Sequence, residues 1–381
     1  MNFDFSDEQK TLQRTVREYL ERECPLKQCR SVLEGAEPSY SHKVWRGAAE
    51  MGWLGAAIPE RYGGTGLGHL ELVVIAQELG RALAPIPFAS SIYLVAEALL
   101  MFGSEAQKEK YLPQLASGAL IATLAASEGS GRLHARTVQS RHVQGCVHGT
   151  KLPVPDGAQA GLFLVTVQKT DGIALALVEA GDGVSVSPLR TLDPSRPQAK
   201  VVFDGARAEL LGEVRAGAQS VERLLDRAAV LFAFEQLGGA ERAFAITRAY
   251  TMDRFVFGRP VASFQAIKHR LADLFVDLEL TRSNVHYAAW ALASGAGELA
   301  TAAPAARACA SEAFDLAAVE MVQMHGGVGF TWEADCHLFY RRAKHLSLVL
   351  GSPAEWRDRL MVRLAKEAAI VGGQNEVQRG F

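Results

Sequence analysis

The sequence predicts a mainly α-helical protein with a small β-domain inserted between two helical parts. Three observations lead to this prediction: helical periodicity from residue 1 to about 120, short apolar runs from about 121 to 215, and long stretches of helical periodicity from about 218 onward. The length of 381 residues exceeds what one hydrophobic core usually spans. We therefore expect three cooperating domains, at 1–120, 121–216 and 217–381.

The first helical part carries two signals for the start of a helix. Ser6 with Gln9, and Ser104 with Gln107, each have the spacing of a capping box, in which two residues three positions apart bond each other's backbone N–H groups. Between them, residues 58–66 contain so much glycine and proline that we expect a loop there.

The middle part has the pattern of strands. Short apolar runs at 161–168, 173–178 and 200–203 are separated by clusters of Gly, Pro and Asp, which favour turns. A small β-domain accounts for this pattern best.

The last part is predicted to form long helices. Apolar residues share one helical face in two stretches, which contain Leu225, Ala228 and Phe232, and Ile267, Leu271, Leu274 and Leu278. The second long helix is expected to end near Gly295 and the third near Gly326. Long antiparallel helices with short connections indicate a four-helix bundle.

Composition excludes several classes of protein. The 40 basic and 42 acidic residues give a net charge of -2, which provides no overall attraction to nucleic acid or to an anionic membrane. The five cysteines are scattered, so we expect reduced thiols and no metal site. The start lacks a basic segment before an apolar stretch, and the longest apolar stretch, 92–102, is too short to cross a bilayer. We expect a soluble cytoplasmic protein with no membrane span.

Two motifs are suited to binding a phosphate group. In the stretch RFVFGRP at 254–260, followed by SFQ at 263–265, an arginine stands at a helix end beside a glycine turn. An ordinary helix–helix loop would also explain this stretch. In QMHGGVGFTWE at 323–333, three glycines in four residues let a backbone or a phosphate approach closely. A simple helix stop is the alternative, and it would need only one glycine.

With four further stretches, these motifs make the chain resemble the acyl-CoA dehydrogenase family of flavoproteins. The further stretches are PERYGGTG at 59–66, QKEKYLPQLASG at 107–118, SE at 127–128 and GTK at 149–151, and all occur in family order. The resemblance implies an N-terminal helical domain, a middle β-barrel-like domain and a C-terminal four-helix bundle. It also implies an acyl-CoA substrate and FAD bound between the β-domain and the bundle, at a subunit interface.

The resemblance further implies which residues contact FAD, namely Arg254, Phe257, Gln265, Gln323, Gly326, Gly327 and Ser127. Of these, Arg254 and Phe257 would reach the diphosphate and adenosine parts of a neighbouring subunit's FAD. Ser127 would hydrogen-bond the pyrimidine edge of the flavin. Arg227 matches, within a register slip of two residues, an arginine near the CoA and the active site.

Family members remove two hydrogens from an acyl thioester: a carboxylate takes the α-proton while flavin N5 takes the β-hydride. That carboxylate stands in a stretch of the form R-D-A-K…Y-E-G-T. Residues 341–352 here read RRAKHLSLVLGS, so the position of the glutamate is Leu350. A minority of members carry the base on the first long helix of the bundle. That position falls near Ala228, which makes Asp226 a candidate base.

Other departures from the family pattern concern the flavin. The tryptophan that covers the flavin aligns with Pro153, and the threonine that bonds N5 aligns with Pro155. After Ser127 and Glu128, the usual P-G-A-G-S-D is shortened to residues 129–131. Family branches that act on steroid or other bulky acyl-CoAs pair two unlike subunits, one with the base and one degenerate. The chain resembles the degenerate kind.

Four hypotheses follow. The first is an FAD-dependent acyl-CoA dehydrogenase subunit that needs a homologous partner, in a dimer or heterotetramer, to supply the base. The second is a self-sufficient dehydrogenase with a relocated base such as Asp226. The third is a non-catalytic scaffold or binding subunit, and the fourth is a related flavin monooxygenase or oxidase.

Overall fold

The computed structural model describes residues 5–37, 39–129, 137–169, 172–212 and 217–378, with side chains as far as residue 368. Six helices precede the sheet: α1 (Asp7–Glu23), α2 (Leu26–Leu33), α3 (His42–Glu50), α4 (His69–Arg81), α5 (Glu97–Phe102) and α6 (Glu105–Ala116). A π-helical segment, Ala89–Ala96, runs directly into α5. Both predicted capping boxes are present, at the first residues of α1 and α6. The predicted loop at 58–66 is irregular except for one 3₁₀ turn, Glu60–Tyr62.

A mixed sheet follows the first helices. Its strands are β1 (Ala122–Ala125), β2 (Arg141–Val143), β3 (Cys146–Pro155), β4 (Leu162–Lys169), β5 (Gly172–Glu179), β6 (Val184–Leu189), β7 (Gln198–Arg207) and β8 (Glu209–Leu211). They are ordered β6-β7-β3-β2-β4-β5-β8, and β1 pairs with β4. The pairs β1–β4 and β2–β4 are parallel and the others are antiparallel. The three predicted apolar runs therefore lie in β4, β5 and β7.

In the described part of the chain after the sheet, five α-helices follow: α7 (Gly217–Asp253), α8 (Gln265–Ser294), α9 (Leu299–Met324), α10 (Cys336–Leu348) and α11 (Pro353–Gln378). A hairpin of β9 (Phe255–Val256) and β10 (Arg259–Pro260) joins α7 to α8. The predicted ends near Gly295 and Gly326 are correct, and both glycines have positive φ, 65° and 61°. Residue 216, the predicted end of the middle domain, lies outside the described residues, and the domain boundaries stay predictions.

The two helical parts pack against each other along α4 and α7. A Cβ on Gly238 of α7 would lie 1.8 Å from the carbonyl oxygen of Gln77, and a Cβ on Gly80 of α4 would lie 1.8 Å from that of Glu235. These glycines therefore let the two helix backbones cross in direct contact. One apolar core extends from α1 through α4 and α7 to α9 and α11. A second core fills one side of the sheet, where Phe163 and Phe203 meet edge to face.

The observed architecture confirms the predicted fold class, with helices before and after a central sheet. In the part of the chain that the structure describes, no helix combines the length and the apolar composition that crossing a membrane requires.

Candidate functional site

A cleft of about 460 Å³ lies where the sheet meets the connection between α10 and α11. The sheet side contributes Leu124, Ala126, Ser127, Gly129, Pro153, Pro155 and Gln198, and the helical side contributes Lys344, His345, residues 348–352 and Glu355. Leu94 of the π-helical segment and residues 191–193 complete the wall. The cleft therefore brings together Ser127, Leu350, Pro153 and Pro155.

The loop that carries Ser127 is joined to β3 by backbone hydrogen bonds. The N–H of Leu152 donates to the carbonyl oxygen of Ser127, and the N–H of Gly129 donates to that of Leu152, both at 2.8 Å. The Leu152–Pro153 peptide bond is cis. Among the described residues, the Ser127 hydroxyl donates one hydrogen bond, of 3.3 Å, to the carbonyl oxygen of Gly129. Ser127 lines the cleft, where its hydroxyl has capacity for a further bond. Residues 130 and 131 of the shortened loop lie outside the described residues.

A buried ion pair also holds the loop that carries Ser127. Lys151 is fully buried, and its Nζ lies 2.6 Å from Oε1 of Glu128. Burial lowers the pKa of Lys151 to about 8, although Glu128 opposes this shift. The Glu128 carboxylate also accepts hydrogen bonds from the backbone N–H groups of Gln139, at 2.7 Å, and Ser140, at 2.9 Å. Glu128 is thus a structural neighbour of Ser127 that binds the two ends of the 129–140 segment together.

Leu350 lies in the short connection between α10 and α11. Its φ of 74° is unusual for a residue with a side chain, and Gly351 follows with a φ of 106°. The next turn is fixed by a capping box: the N–H of Ser352 donates to Oε2 of Glu355 at 2.7 Å, and the N–H of Glu355 donates to Oγ of Ser352 at 3.3 Å. Leu350 is therefore held on the cleft wall, where it offers no side-chain atom that can accept a proton.

The carboxylates on the described wall of the cleft belong to Asp193 and Glu355, and both are engaged. Buried Asp193 accepts from Nε of Arg342 at 2.8 Å and from the Ser195 hydroxyl. Burial raises the pKa of Asp193, but Arg342 outweighs this effect and holds the pKa below its usual value. Glu355 is held by the capping box that starts α11.

His345 presents an imidazole to the cleft. Among the described residues, its side chain has no hydrogen-bond partner. Burial lowers the pKa of His345 to about 3. Nearby arginines also lower this pKa, whereas the charge of Asp193 acts to raise it. The neutral ring keeps one donor and one acceptor nitrogen for whatever occupies the cleft.

The sequence reasoning missed His345, Asp193 and Glu355. Only Glu355 carries a local signal, because Ser352 and Glu355 have the spacing of a capping box. The other two residues enter the cleft through contacts between distant parts of the chain.

Two predicted catalytic residues on α7 lie apart from the lining of the cleft. Asp226 faces α11, where Nη1 of Arg363 lies 2.9 Å from its Oδ1. Burial raises the pKa of Asp226 to about 6, although Arg363 opposes the shift. Its role as a base stays a prediction.

Arg227, the other candidate on α7, belongs to a separate buried cluster. Its Nε donates to Oε2 of Glu97 at 2.7 Å, and its Nη2 lies 2.9 Å from Nε2 of His69. Burial alone would raise the pKa of Glu97, but His69 and Arg227 lower it to about 2. Arg227 thus compensates a buried carboxylate in this chain.

The six predicted nucleotide contacts of the helical part lie on the surface at one end of the bundle. They are Arg254, Phe257, Gln265, Gln323, Gly326 and Gly327, and all are exposed. Phe257 stands at the tip of the β9–β10 hairpin, with 94% of its surface exposed and a φ of 51°. The ring of Tyr250 stacks on that of His325 at 4.1 Å, which places the hairpin end of α7 beside the glycine cluster after α9.

Comparison with known proteins gives the family. A model of the acyl-CoA dehydrogenase N-terminal domain matches residues 6–119, and a model of the C-terminal domain matches residues 215–354. The chain is 33% identical over 356 residues to acyl-CoA dehydrogenase IpdE2 of Mycolicibacterium smegmatis. The match covers 93% of this chain and 98% of that relative. The chain belongs to the acyl-CoA dehydrogenase family. The predicted family and its oxidoreductase class are confirmed.

Solved structures of family members have the same fold. A variant of the Tcur3481-Tcur3483 steroid ACAD is 31% identical with a TM-score of 0.87, covering 95% of this chain and 99% of that one. The ChsE4-ChsE5 complex of Mycobacterium tuberculosis contains a chain that is 30% identical with a TM-score of 0.87, covering 96% and 99%.

Acyl-CoA dehydrogenases are FAD-dependent flavoproteins, as predicted for this chain. The described cleft fits a flavin ring, since its volume lies within the range of about 300–1,000 Å³ that is typical of small-molecule pockets. Its apolar walls suit a planar ring, while the Ser127 hydroxyl and the His345 imidazole can each donate or accept a hydrogen bond. Pro153 and Pro155, which the resemblance aligns with the family's tryptophan and threonine, supply neither an indole wall nor a hydroxyl.

Proposed function

We propose that this chain is a subunit of an FAD-dependent acyl-CoA dehydrogenase that lacks its own catalytic base and works with a homologous partner subunit. One observation carries the proposal. Leu350 lies on the cleft wall, and the resemblance predicts that it stands at the position of the family's base. Asp193 and Glu355, the carboxylates of the described wall, are held by Arg342 and by the cap of α11.

The chemistry requires a base at this wall. The α-proton of an acyl thioester is removed by a group within hydrogen-bond reach, and a carboxylate engaged by a guanidinium or by a helix cap is a weak acceptor. FAD, when bound, supplies the hydride acceptor. In this chain Ser127 and His345 would orient the ring by hydrogen bonds, and the apolar wall with Leu350 and Leu348 would exclude water from the cleft.

The exposure of the predicted nucleotide contacts supports a partner subunit. An aromatic side chain as exposed as Phe257, at a hairpin tip beside Arg254, is suited to reach a flavin nucleotide on another subunit. On α8, Phe275, Val276 and Leu280 are also more than half exposed, as expected of a surface that another chain covers. Similarity to chains of the Tcur3481-Tcur3483 steroid ACAD and of the ChsE4-ChsE5 complex favours an unlike partner and a bulky acyl group.

The test is to purify the chain alone and together with a co-expressed homologous subunit from the same genome. Bound FAD and acyl-CoA-dependent reduction of a dye are measured in each preparation. We expect dye reduction only with the partner present, and its loss when the partner's own base is replaced by glutamine. Dye reduction by the chain alone would contradict the proposal, and protein without flavin or activity in both preparations would favour a scaffold.

A further inference from the structure

A second cavity, of about 510 Å³, lies among α1, α2, the end of α4 and the middle of α7. It shares no lining residue with the cleft between the sheet and the α10–α11 connection. Basic residues from four different helices meet at its wall, namely Arg17 of α1, Lys27 of α2, Arg81 of α4 and Arg242 of α7. The acidic lining residues are Glu21, Glu78 and Asp335.

Two of the three acidic side chains are neutralised by ion pairs. Glu78 is buried and accepts from Nε and Nη2 of Arg17, at 2.9 and 2.6 Å. Asp335 lies 2.7 Å from Nη2 of Arg30, which is not part of the cavity wall. Among the acidic lining residues, Glu21 alone remains to offset the charges of Lys27, Arg81 and Arg242. Glu21 and Lys27 are both exposed to solvent, whereas Arg81 and Arg242 are half-buried. The cavity therefore has a surplus of positive charge.

Arg81 has no counter-ion within the described part of the chain. Its Nε is buried without a hydrogen-bond partner, and no ion pair forms between its guanidinium and the described carboxylates. Burial lowers the pKa of Arg81. The charges of Arg17 and Arg242 lower it further, whereas those of Glu78 and Glu241 act to raise it. Glu241 is occupied elsewhere, because it accepts from Gln77 and Arg282 at 3.0 and 2.7 Å.

Arg242 and Lys27 are likewise without an ion pair among the described residues. Two guanidiniums that face one cavity from different helices repel each other unless an anion lies between them. Burying such a group unpaired is costly, and a bound anion removes that cost. The planar guanidinium fork matches the oxygens of a phosphate group, to which it can donate two parallel hydrogen bonds.

We propose that this cavity binds a phosphate-bearing small molecule, with Arg81 and Arg242 donating hydrogen bonds to its phosphate oxygens. The volume exceeds what one phosphate needs, and Leu20, Leu26 and Ala82 give the wall an apolar part. The organic portion of the ligand packs against these side chains. The site is independent of the proposed dehydrogenase role, because none of the residues that line it lines the cleft with Leu350.

The test uses the full-length protein, in the assembly in which it purifies and in phosphate-free buffer, titrated calorimetrically with pyrophosphate and with ADP. We expect saturable binding of both probes, with ADP at least as tight as pyrophosphate. Arg81→Met and Arg242→Met should each weaken binding by about tenfold or more, as the loss of a charge-assisted hydrogen bond predicts. Arg248→Met is the matched control, because Arg248 is exposed on α7 and outside the cavity.

Two results would overturn the proposal. One is the absence of saturable binding by the unaltered protein. The other is binding that survives Arg81→Met and Arg242→Met but is lost in Arg254→Met, which would place the anion at the predicted flavin nucleotide contact.

Thermal unfolding separates a binding role from a structural one. Arg81→Met should be at least as stable as the unaltered protein without ligand, because it removes an unpaired buried charge. At the same concentration, pyrophosphate should raise the melting temperature of Arg81→Met by less than that of the unaltered protein, because the variant binds it more weakly. A destabilised Arg81→Met variant whose melting temperature pyrophosphate raises as much as that of the unaltered protein would show that Arg81 contributes only to packing.

Discussion

Tyr250 near the end of α7 stacks on His325, the residue directly after α9, with ring centroids 4.1 Å apart and an angle of 21° between the rings. His325 is held in turn by the carbonyl oxygen of Met321, 2.7 Å from its Nδ1. The stack joins two motifs that are about 70 positions apart in the sequence, the hairpin after Arg254 and the glycine cluster after Gln323. A diphosphate bound by both motifs would depend on this contact.

Tyr250→Leu should weaken FAD binding without unfolding the bundle. The loss of one aromatic pair is worth about 0.5–1.5 kcal/mol, roughly two- to tenfold in affinity. The measurement is the fluorescence titration of the flavin-free assembly with FAD. Tyr287→Leu is the control, because Tyr287 stacks on Trp290 within α8 and joins no motifs. If Tyr250→Leu binds FAD with the same affinity as Tyr287→Leu, the role assigned to the Tyr250 stack is contradicted.

Phe257→Ala should leave the stability of the isolated chain within about 0.5 kcal/mol of its original value, because the side chain is almost fully exposed. The same substitution should lower the amount of FAD retained by the assembly with the partner subunit. Flavin absorbance after gel filtration measures this amount. Leu67→Ala, in an exposed position of the N-terminal loop, provides a comparison. Full retention of FAD by Phe257→Ala would remove the hairpin tip from the flavin site.

Two substitutions of Glu355 distinguish a helix-capping role from a role as the catalytic base. Glutamine also fits the third position of a capping box, so Glu355→Gln should preserve both the fold and the dehydrogenase activity of the assembly. Glu355→Ala should destabilise the chain by about 1 kcal/mol. Urea unfolding and dye reduction are measured on both variants. If Glu355→Gln folds normally but loses activity, Glu355 is the relocated base and the chain is self-sufficient.

Asp226 should make the stability of the chain depend on pH. Its pKa is raised by burial from 3.8 to about 6, so the folded chain binds the proton more tightly than the unfolded chain. Stability should therefore fall as the pH rises from about 4 to 6, by at most about 3 kcal/mol. Asp226→Asn should remove this slope, as measured by urea unfolding at pH 4, 5, 6 and 7. A slope unchanged by the substitution would show that another group causes it.

Local patterns predicted the parts of the fold that local chemistry determines. The capping boxes at Ser6 and Ser104 and the helix ends at Gly295 and Gly326 depend on residues close in sequence, and they are correct. Leu350, which a local motif singled out, lies on the cleft wall, and its assignment to the position of the base stays a prediction.

The remainder of the site depends on contacts between distant segments. Successive helical residues are 100° apart, so a register uncertainty of two residues on α7 can turn a side chain to the opposite face of the helix. Asp226 and Arg227 face Arg363 and Glu97, which no spacing in the sequence predicts. His345 enters the cleft because α10 packs beside residues 191–193, and this packing too is a tertiary effect.

The exchange of the α-proton of an acyl-CoA with D₂O shows whether this subunit has a base of its own, because exchange requires a base and no hydride transfer. It is followed by mass spectrometry with the purified chain alone and with the assembly. We predict no exchange above the enzyme-free rate with the chain alone, exchange with the partner present, and a gain of exchange in Leu350→Glu. Exchange catalysed by the unaltered chain alone, and abolished by Asp226→Asn or Glu355→Gln, would contradict the claim that this subunit lacks its own base.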